Sequence, residues 1–521
     1  MPNARVTTRP KHHWPGSGRP AAKSRRTLAV LVLLGTLCGP MTPLQAAAID
    51  RDVVVYGGTA AGAMAGVAAA RHGASVILLE PGRHIGGMVS GGLGRFDVDR
   101  QKDLIGGLTL EFFTRLGRHY GQTVSWACEP HVAEDVFRTM LKEAGVELRF
   151  GQLLAAAEAD GTCLRVLRMR DGTTYSARVF IDATYEGDLL KAAGVSYTIG
   201  REGRDQYDES LAGRRELLPG HHQFVVGVSP WRDGALLPYV TPQEKLVPVG
   251  AGDDRLQAYC FRLCLTDRAE NRVPITRPKD YDPARYELLR RYLLAIRQRK
   301  GEPIRGPVGF ARIPNGKCDA NSSGAVSLNL PGANQEYPEA TPERRAEIRE
   351  EHRSWAHGLL FFLQNDPAVP EEIRAACAPW GLCKDEFQDT GGWPHQLYVR
   401  EARRMLGEYI LTQHDLQQRR RKHDVIGMAG YNIDIREVQW VSVRTFRFPD
   451  AQDETFVEGY VSQPVEPWDI PYRAILPRYS ECSNLLVPVC ISASTVAYAS
   501  FRMEPNYMIV GHSAGVAAAL A

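Results

Sequence analysis

The sequence has no C-x-x-C pair, no cluster of four closely spaced cysteines and no apolar run long enough to cross a bilayer. Dithiol exchange uses a C-x-x-C pair, so it is not expected. Iron–sulfur clusters and zinc sites use closely spaced groups of cysteines, so no metal site is predicted. Without long apolar runs, a chain with several membrane helices is excluded. A dense basic run is also missing apart from 419–422, so nucleic acid is not an expected partner.

The first 48 residues contain seven Lys or Arg and no Asp or Glu. Their basic start is followed by an apolar run over 27–37, which is too short to span a membrane, and by Ala46-Ala47-Ala48 as a small-residue cleavage site. This pattern predicts a signal peptide over 1–48 and an exported protein, periplasmic or extracellular, with no integral membrane segment after cleavage. Arg25-Arg26 fits the twin-arginine route loosely, and an ordinary secretory signal is the alternative.

A strand–turn–helix–strand pattern follows. Residues 52–56 read as a strand, Gly57-Gly58-Thr59-Ala60-Ala61-Gly62 as a tight turn opening a small-residue helix, and 75–79 as a second strand ending at Glu80. In this dinucleotide-binding pattern Gly57 makes the turn, Gly62 allows close helix–strand packing, Glu80 accepts ribose hydroxyls and the helix N-terminus holds the pyrophosphate. Thr59 replaces the middle glycine, and we expect its hydroxyl to bond a phosphate. A structural glycine turn is the alternative.

The segment after Glu80 favours FAD over a nicotinamide cofactor. Arg83 is followed by Gly86, Gly87 and Met88, and further glycines keep this loop slim enough for its backbone to lie against a flat ring system. A glycine-rich surface loop is the alternative reading. No second G-x-G-x-x-G unit occurs, so a bound nicotinamide partner is not expected.

These residues resemble the FAD-dependent oxidoreductases of the glutathione-reductase-like, two-dinucleotide-domain superfamily. The group includes a heterodisulfide reductase flavoprotein subunit and exported bacterial proteins, some of which are named xanthan lyase. The resemblance covers nearly the whole mature chain and rests on residues 53–94, 129–131, 182–188, 314–317, 398–401 and 502–505.

The resemblance implies FAD as the cofactor and extends the set of residues expected to contact it. It places Val146 at the adenine side, brings the strand ending in Asp182-Ala183-Thr184 back to the FAD, and points the helix that starts at Glu504-Pro505 toward the flavin. The residues predicted to bind FAD are therefore Gly57, Gly58, Thr59, Ala60, Ala61, Gly62, Glu80, Arg83, Gly86, Gly87, Met88, Val146, Asp182, Ala183, Thr184, Glu504 and Pro505.

The predicted fold class is α/β, with a Rossmann-like FAD-binding domain of parallel sheet and β-meander and an inserted α+β substrate domain. The expected divisions are a signal peptide over 1–48, the first part of the FAD-binding domain over 49–193, a substrate or cap domain over 194–394, and a return to the FAD-binding domain over 395–521. The predicted helices are 130–144, 283–300, 342–363, 396–418 and one from Glu504 to the end; the predicted later strands are 146–150, 153–159, 163–170, 174–182 and 483–489.

The expected function is oxidation of a small polar substrate, such as a carbohydrate or polyol, by hydride transfer to flavin N5. The electrons would pass to oxygen, a quinone or a redox protein. Hydride removal needs a base and groups that hold the substrate, and the candidates are His395, Tyr398, Arg400, Arg262 and Arg502, each with a purely structural role as the alternative. Two other functions stay open: an electron-transferring flavoprotein subunit with iron–sulfur partners, and a binding protein that lost the cofactor.

Overall fold

A computed structural model describes residues 48–220, 222–298, 306–447 and 450–521. The predicted signal peptide and its cleavage site lie outside these ranges except for Ala48. Within them, no helix combines the length and the apolar character that crossing a membrane would need.

The main sheet joins strands from both ends of the described chain. Its order is β3-β2-β1-β6-β5-β4, with β23 also pairing with β6. The strands in chain order are β1 Ile49–Tyr56, β2 Val76–Glu80, β3 Glu147–Phe150, β4 Leu154–Asp160, β5 Cys163–Met169, β6 Thr174–Asp182, β7 Tyr197–Thr198, β8 Trp231–Arg232, β9 Ala235–Leu236, β10 Val240–Thr241, β11 Leu263–Thr266, β12 Arg272–Val273, β13 Val308–Ile313, β14 Lys317–Ser322, β15 Gly381–Cys383, β16 Arg404–Met405, β17 Val425–Ala429, β18 Ile433–Ile435, β19 Gln439–Arg447, β20 Asp450–Glu458, β21 Val461–Gln463, β22 Trp468–Pro471 and β23 Leu485–Leu486.

The helices cover the sheets and carry one wall of the site described below. In chain order they are α1 Ala60–Arg71, α2 Gly107–His119, α3 Pro130–Ala144, α4 Asp188–Ala192, α5 Arg204–Tyr207, α6 Glu287–Arg297, α7 Pro342–Asn365, α8 Glu371–Cys377, α9 Gln413–Gln417, α10 Thr495–Phe501 and α11 Glu504–Leu520. Short 3-10 turns lie at Lys102–Leu104, Gln243–Lys245, Pro283–Tyr286, Pro314–Gly316, Gln388–Thr390 and Tyr472–Ile475.

The predicted fold class is confirmed. β1, β2, β3, β6 and β23 run parallel, as expected for strands linked through crossover helices, and β4, β5 and β6 form the antiparallel meander. α3 begins with Pro130 at its first position and ends at Gly145 with a φ of 76°, which glycine adopts without strain. The final helix begins at Glu504, as expected.

Helices α1 and α11 lie against each other closely enough for backbone to meet backbone. A Cβ added at Gly511 would overlap the carbonyl oxygen of Ala61, and one at Gly515 would overlap that of Ala65. α1 is buried from Ala60 to Ala69 because the sheet covers one side and α11 the other. Small residues at these positions therefore let the two helices share one core.

The middle of the chain contributes a separate antiparallel sheet of order β12-β15-β11-β14-β13. A three-stranded sheet, β10-β19-β20, joins residues 240–241 to residues 439–458. The last part of the chain therefore does not return only to the main sheet, because β19 pairs with β10 of the middle region and β20 pairs with β19.

The predicted helix over 396–418 is wrong. Residues 397–405 are buried without interruption and include only the short strand β16, and helical structure starts at Gln413. Arg403 binds Glu339 and Asp188, and Arg404 binds Glu202, all of which lie far away along the chain. These long-range ion pairs hold the segment extended through the interior, although its apolar spacing resembles that of an amphipathic helix.

Candidate functional site

A cavity of about 680 Å³ opens where β1, β2 and β6 end. The carboxyl ends of neighbouring parallel strands are the usual place for a ligand in such sheets. Seven of the residues predicted to bind FAD line this cavity: Gly57, Gly58, Thr59, Glu80, Arg83, Gly87 and Thr184. The predicted turn therefore forms one wall of the cavity.

Glycine is required where the chain turns into α1. Gly57 has a φ of 104°, and a Cβ there would lie 2.8 Å from the backbone of Ala183 and Thr184. A Cβ at Gly62 would overlap the carbonyl oxygen of Gly57. The amides of Ala60 and Ala61 precede the first intrahelical hydrogen bond, from the Ala63 amide to the Thr59 carbonyl oxygen at 2.9 Å. This end of α1 can therefore bind an anion.

The structure uses the Thr59 hydroxyl differently from our expectation. It donates its hydrogen to the carbonyl oxygen of Ala183 at 2.7 Å and accepts one from the Gly62 amide at 3.2 Å. Thr59 thus caps α1, which satisfies one of the free amides of the first turn. Because its hydrogen is already donated, the hydroxyl has none left to offer a phosphate.

Glu80 lies at the end of β2, as the dinucleotide pattern requires. Its carboxylate accepts hydrogen bonds from the amides of Gly58, at 2.6 Å, and Gly82. Burial raises the pKa of Glu80 to about 7, against the opposing effect of the two amides. The carboxylate therefore holds the turn and also faces the cavity, where it can accept further hydrogen bonds.

Several other predicted cofactor residues support the wall from behind. The carboxylate of Asp182 accepts hydrogen bonds from Thr184 and from the Leu190 amide, and the Ala183 amide donates to Tyr56. The predicted residues that do not line the cavity are Ala60, Ala61, Gly62, Gly86, Met88, Val146, Asp182, Ala183, Glu504 and Pro505. Val146 packs beneath α1, beside Gly66.

The opposite wall comes from the middle region, which the dinucleotide pattern does not predict. Helix α7 places Arg345, Arg349 and Arg353 at intervals of four residues along the cavity. Arg345 binds both carboxylate oxygens of Asp188, at 2.7 and 2.9 Å, and Arg353 binds Glu350. No carboxylate of the described ranges lies within ion-pair distance of Arg349. The R-x3-R-x3-R spacing was the sequence signal for this wall.

Two stacked imidazoles also line the cavity. The rings of His84 and His395 are nearly parallel, with centroids 3.9 Å apart. His84 binds Glu134 and Asp389, each at 3.0 Å, and chiefly the bond to Glu134 raises its pKa. Burial, assisted by the charge on His84, lowers the pKa of His395 to about 3. A ring whose pKa is raised by a neighbouring carboxylate therefore stacks on a ring whose pKa is lowered by burial.

His395 is the candidate catalytic residue that faces the cavity. Both of its ring nitrogens are buried and lack a hydrogen-bond partner among the described residues. At neutral pH the ring can donate one hydrogen bond to a bound molecule and accept another. Its low pKa makes it a weak base, because an efficient base has a pKa near the working pH.

The other four catalytic candidates do not line the cavity, and each has a buried partner. Arg262 forms a two-point ion pair with Asp319, and Arg502 binds Asp434 and the hydroxyl of Tyr398. Arg400 lies over the Tyr398 ring and donates to Ala258 and Cys260. These contacts lie in the interior and give all four residues structural partners. Their catalytic role stays a prediction.

Glu504 is buried behind Tyr185, which lines the cavity. Its Oε1 accepts a hydrogen bond from the hydroxyl of Tyr185 at 2.7 Å, and that hydroxyl accepts one from the Met88 amide at 2.9 Å. Oε2 of Glu504 has no partner among the described residues. Burial raises the pKa of Glu504 to about 8, so the side chain is largely neutral at pH 7.

Replacing Glu504 with glutamine is expected to stabilise the protein at pH 8 and to have little effect at pH 4. The carboxyl ionises near pH 4.5 when unfolded and near 8 when folded, so wild type loses stability as the pH rises between these values. Each unit of this difference corresponds to about 1.4 kcal/mol. Thermal melts from pH 4 to pH 8 measure the difference in melting temperature between E504Q and wild type. Glu372→Gln, at an exposed glutamate, is the control. A difference that stays the same at every pH would contradict the assignment of Glu504 as a buried acid.

A buried ionic cluster lies beside the cavity. The Nζ of Lys317 is 2.7 Å from carboxylate oxygens of Glu129 and Glu386, and the Nδ1 of His131 is 2.8 Å from Glu386. Glu129, His131 and Glu386 could offer metal ligands by their spacing. The ammonium group of Lys317 already binds both carboxylates, so we interpret the cluster as a structural ion network.

The donor set and the shape of the cavity fit a bound dinucleotide. Gly57 and Gly58 line the cavity without side chains, the amides of Ala60 and Ala61 precede the first intrahelical hydrogen bond, and Glu80 is an acceptor for ribose hydroxyls. Arg83 and Arg349 supply positive charge from opposite walls, as phosphate groups require. A cavity of this volume is within the range of about 300–1,000 Å³ typical of cofactor sites.

Comparison with known proteins agrees with this chemistry. Residues 52–521 match the model of the family described as FAD dependent oxidoreductase. A vinyl phenol reductase of Lactiplantibacillus plantarum is 56% identical over 48 residues, which are 9% of this chain and 10% of that protein. This chain thus matches about a tenth of the length of that curated relative.

Solved structures overlap only part of the chain. L-proline dehydrogenase from P. horikoshii is 14% identical with a TM-score of 0.24, covering 30% of this chain and 59% of that one. OxyS anhydrotetracycline hydroxylase from Streptomyces rimosus is 18% identical with a TM-score of 0.23, covering 30% of this chain and 38% of that one.

Proposed function

Because the chain belongs to the FAD-dependent oxidoreductases, we propose that it is an exported member of that family that oxidises a small polar compound. A carbohydrate or polyol is the substrate class that we propose first. When bound, FAD supplies a hydride acceptor at N5 of the flavin. The electrons then pass to oxygen, a quinone or a redox protein.

The observation that carries the proposal is the two-sided construction of the cavity. One wall is the dinucleotide-binding turn, and the other is built from the middle region, with Tyr337, Arg349, Trp393 and His395 facing the same space. A wall that combines an aromatic plane with charged and hydrogen-bonding groups suits a polar compound better than an apolar one. We therefore assign the part of this wall around Trp393 and His395 to substrate recognition.

Different residues of this chain would bind the cofactor and the substrate. The amides at the start of α1 and the guanidinium groups of Arg83 and Arg349 would hold the phosphates, and Glu80 would hold the ribose. His395, with both nitrogens unpartnered, would orient a substrate hydroxyl or amine through a hydrogen bond. Aromatic and proline side chains of the middle region, such as Trp393 and Pro394, would keep water away from it.

The test is anaerobic reduction of the purified, flavin-loaded protein by a panel of small donors. We expect at least one sugar, polyol, alcohol or amine to bleach the visible flavin bands, and reoxidation by oxygen or a quinone to restore them. His395→Ala is expected to slow the bleaching roughly tenfold without releasing flavin. Phe150→Leu, a change on β3 outside the cavity, is the matched control.

Three outcomes would redirect the proposal. Flavin that no small donor reduces, but that a reduced iron–sulfur protein does, would favour the electron-transferring subunit. Reduction by apolar donors alone would overturn the substrate class. A protein recovered from an export-competent host with residues 1–48 intact in the cytoplasm would overturn the export proposal, whatever the substrate.

A further inference from the structure

Two buried cysteines face each other across the sheet of the middle region. β11 pairs antiparallel with β15, and Leu265 lies opposite Leu382. This register places Cys264 opposite Cys383. Their Sγ atoms are 3.9 Å apart, and both side chains are buried although 119 residues separate them along the chain.

The strand geometry suits a covalent bond at this position. Directly opposite residues in antiparallel strands have Cα atoms about 4.5–5.5 Å apart. A disulfide spans Cα separations of about 4.4–6.8 Å. Because these two ranges of Cα separation overlap, rotation of the two side chains brings the sulfurs together without moving the strands. We propose that Cys264 and Cys383 are a modification site that forms a disulfide in an oxidising environment.

The oxidant is a small disulfide such as oxidised glutathione. The thiolate of one cysteine attacks a sulfur of the oxidant and releases one thiol, and the thiolate of the second cysteine then attacks the mixed disulfide and releases another. The protein loses two protons and two electrons, and the electron pair is found in the two released thiols. Because both sulfurs are buried, the exchange takes place during folding or in a locally opened state.

The bond would anchor the segment that borders the cofactor cavity. Cys383 is the last residue of β15, and the residues after it form two ion pairs: Glu386 binds Lys317, and Asp389 binds His84, with Asp389 and His84 both lining the cavity. A link to β11 fixes the start of this segment. The inference depends neither on the proposed substrate nor on export.

The experiment uses the full-length, flavin-loaded protein equilibrated at several ratios of oxidised to reduced glutathione. It is then denatured in N-ethylmaleimide, digested without reductant and analysed by mass spectrometry. We expect a cross-linked peptide pair containing Cys264 and Cys383, two hydrogens lighter than the separate peptides and absent after reduction. We also expect the oxidised protein to melt at least about 3 °C above the reduced one.

Variants separate the bond from general effects of oxidation. Cys264→Ser and Cys383→Ser should each abolish the melting difference between oxidised and reduced protein. Cys377→Ser, at another buried cysteine nearby on α8, should keep it. If one serine variant fails to fold, the wild-type peptide map still decides. Full alkylation of Cys264 and Cys383 at every glutathione ratio, or a cross-link between other cysteines, would overturn the proposal.

Discussion

Replacing Gly62 with alanine is expected to weaken FAD binding by at least about a hundredfold, a loss of about 2.7 kcal/mol. The added Cβ would overlap the carbonyl oxygen of Gly57 and lie 3.2 Å from the Cβ of Ala183. Helix α1 would have to move away from the turn, and its first amides would leave the position where they can bind phosphate. Titration of the apoprotein with FAD, followed by flavin fluorescence, measures the effect.

Gly66→Ala is the matched control on the same helix. Its Cβ would meet a side-chain atom of Leu141 at 3.4 Å and Val146 at 3.5 Å, which is ordinary contact. Alanine also favours helix more than glycine does. We expect unchanged FAD affinity for G66A. Wild-type affinity in G62A, with circular dichroism showing the protein folded, would mean that the close approach of helix and turn is not needed.

Replacing Arg262 with methionine is expected to lower the free energy of unfolding by about 3–5 kcal/mol, as is usual when one partner of a buried ion pair is removed. Asp319 would keep its charge in the interior without the two hydrogen bonds from Arg262, at 2.8 and 2.6 Å. The same carboxylate accepts hydrogen bonds from the amides of Gly94 and Arg95. The substitution therefore also loosens the glycine-rich loop beside the cavity.

Urea unfolding of the flavin-loaded proteins measures this loss. The double variant Arg262→Met with Asp319→Asn removes the unpaired charge and is expected to recover part of the stability. A catalytic role would give a different result, with stability retained and flavin reduction by the substrate lost. That pattern in R262M would return Arg262 to the list of catalytic residues.

The dinucleotide-binding unit could be predicted from the sequence because its signals are local. Gly57, Gly62 and Glu80 lie within one short stretch: the two glycines stand where a Cβ would not fit, and Glu80 supplies a carboxylate at the end of the second strand. The same holds for α3, whose ends are marked by Pro130 and Gly145. Where neighbouring residues mark a turn or a helix end, the prediction from the sequence agrees with the structure.

Apart from His395, the residues of the second wall were not predicted, because the contacts that place them are distant in sequence. His84 binds Asp389, which lies far away along the chain, and Arg345 on α7 binds the equally distant Asp188. The segment 396–412 has helical spacing, yet pairs such as that of Arg404 with Glu202 hold it extended. Local periodicity carries no information about partners of this kind.

The contact between α1 and α11 sets the order in which this part of the protein can fold during synthesis. Helix α1 is synthesised long before residues 504–520, so it stays without one of its two covering surfaces until those residues have left the ribosome. The nascent dinucleotide motif therefore emerges long before the helix that completes its core. We therefore expect FAD to bind stably only after residues 504–520 have been made, and until then the uncovered face of α1 is open to aggregation.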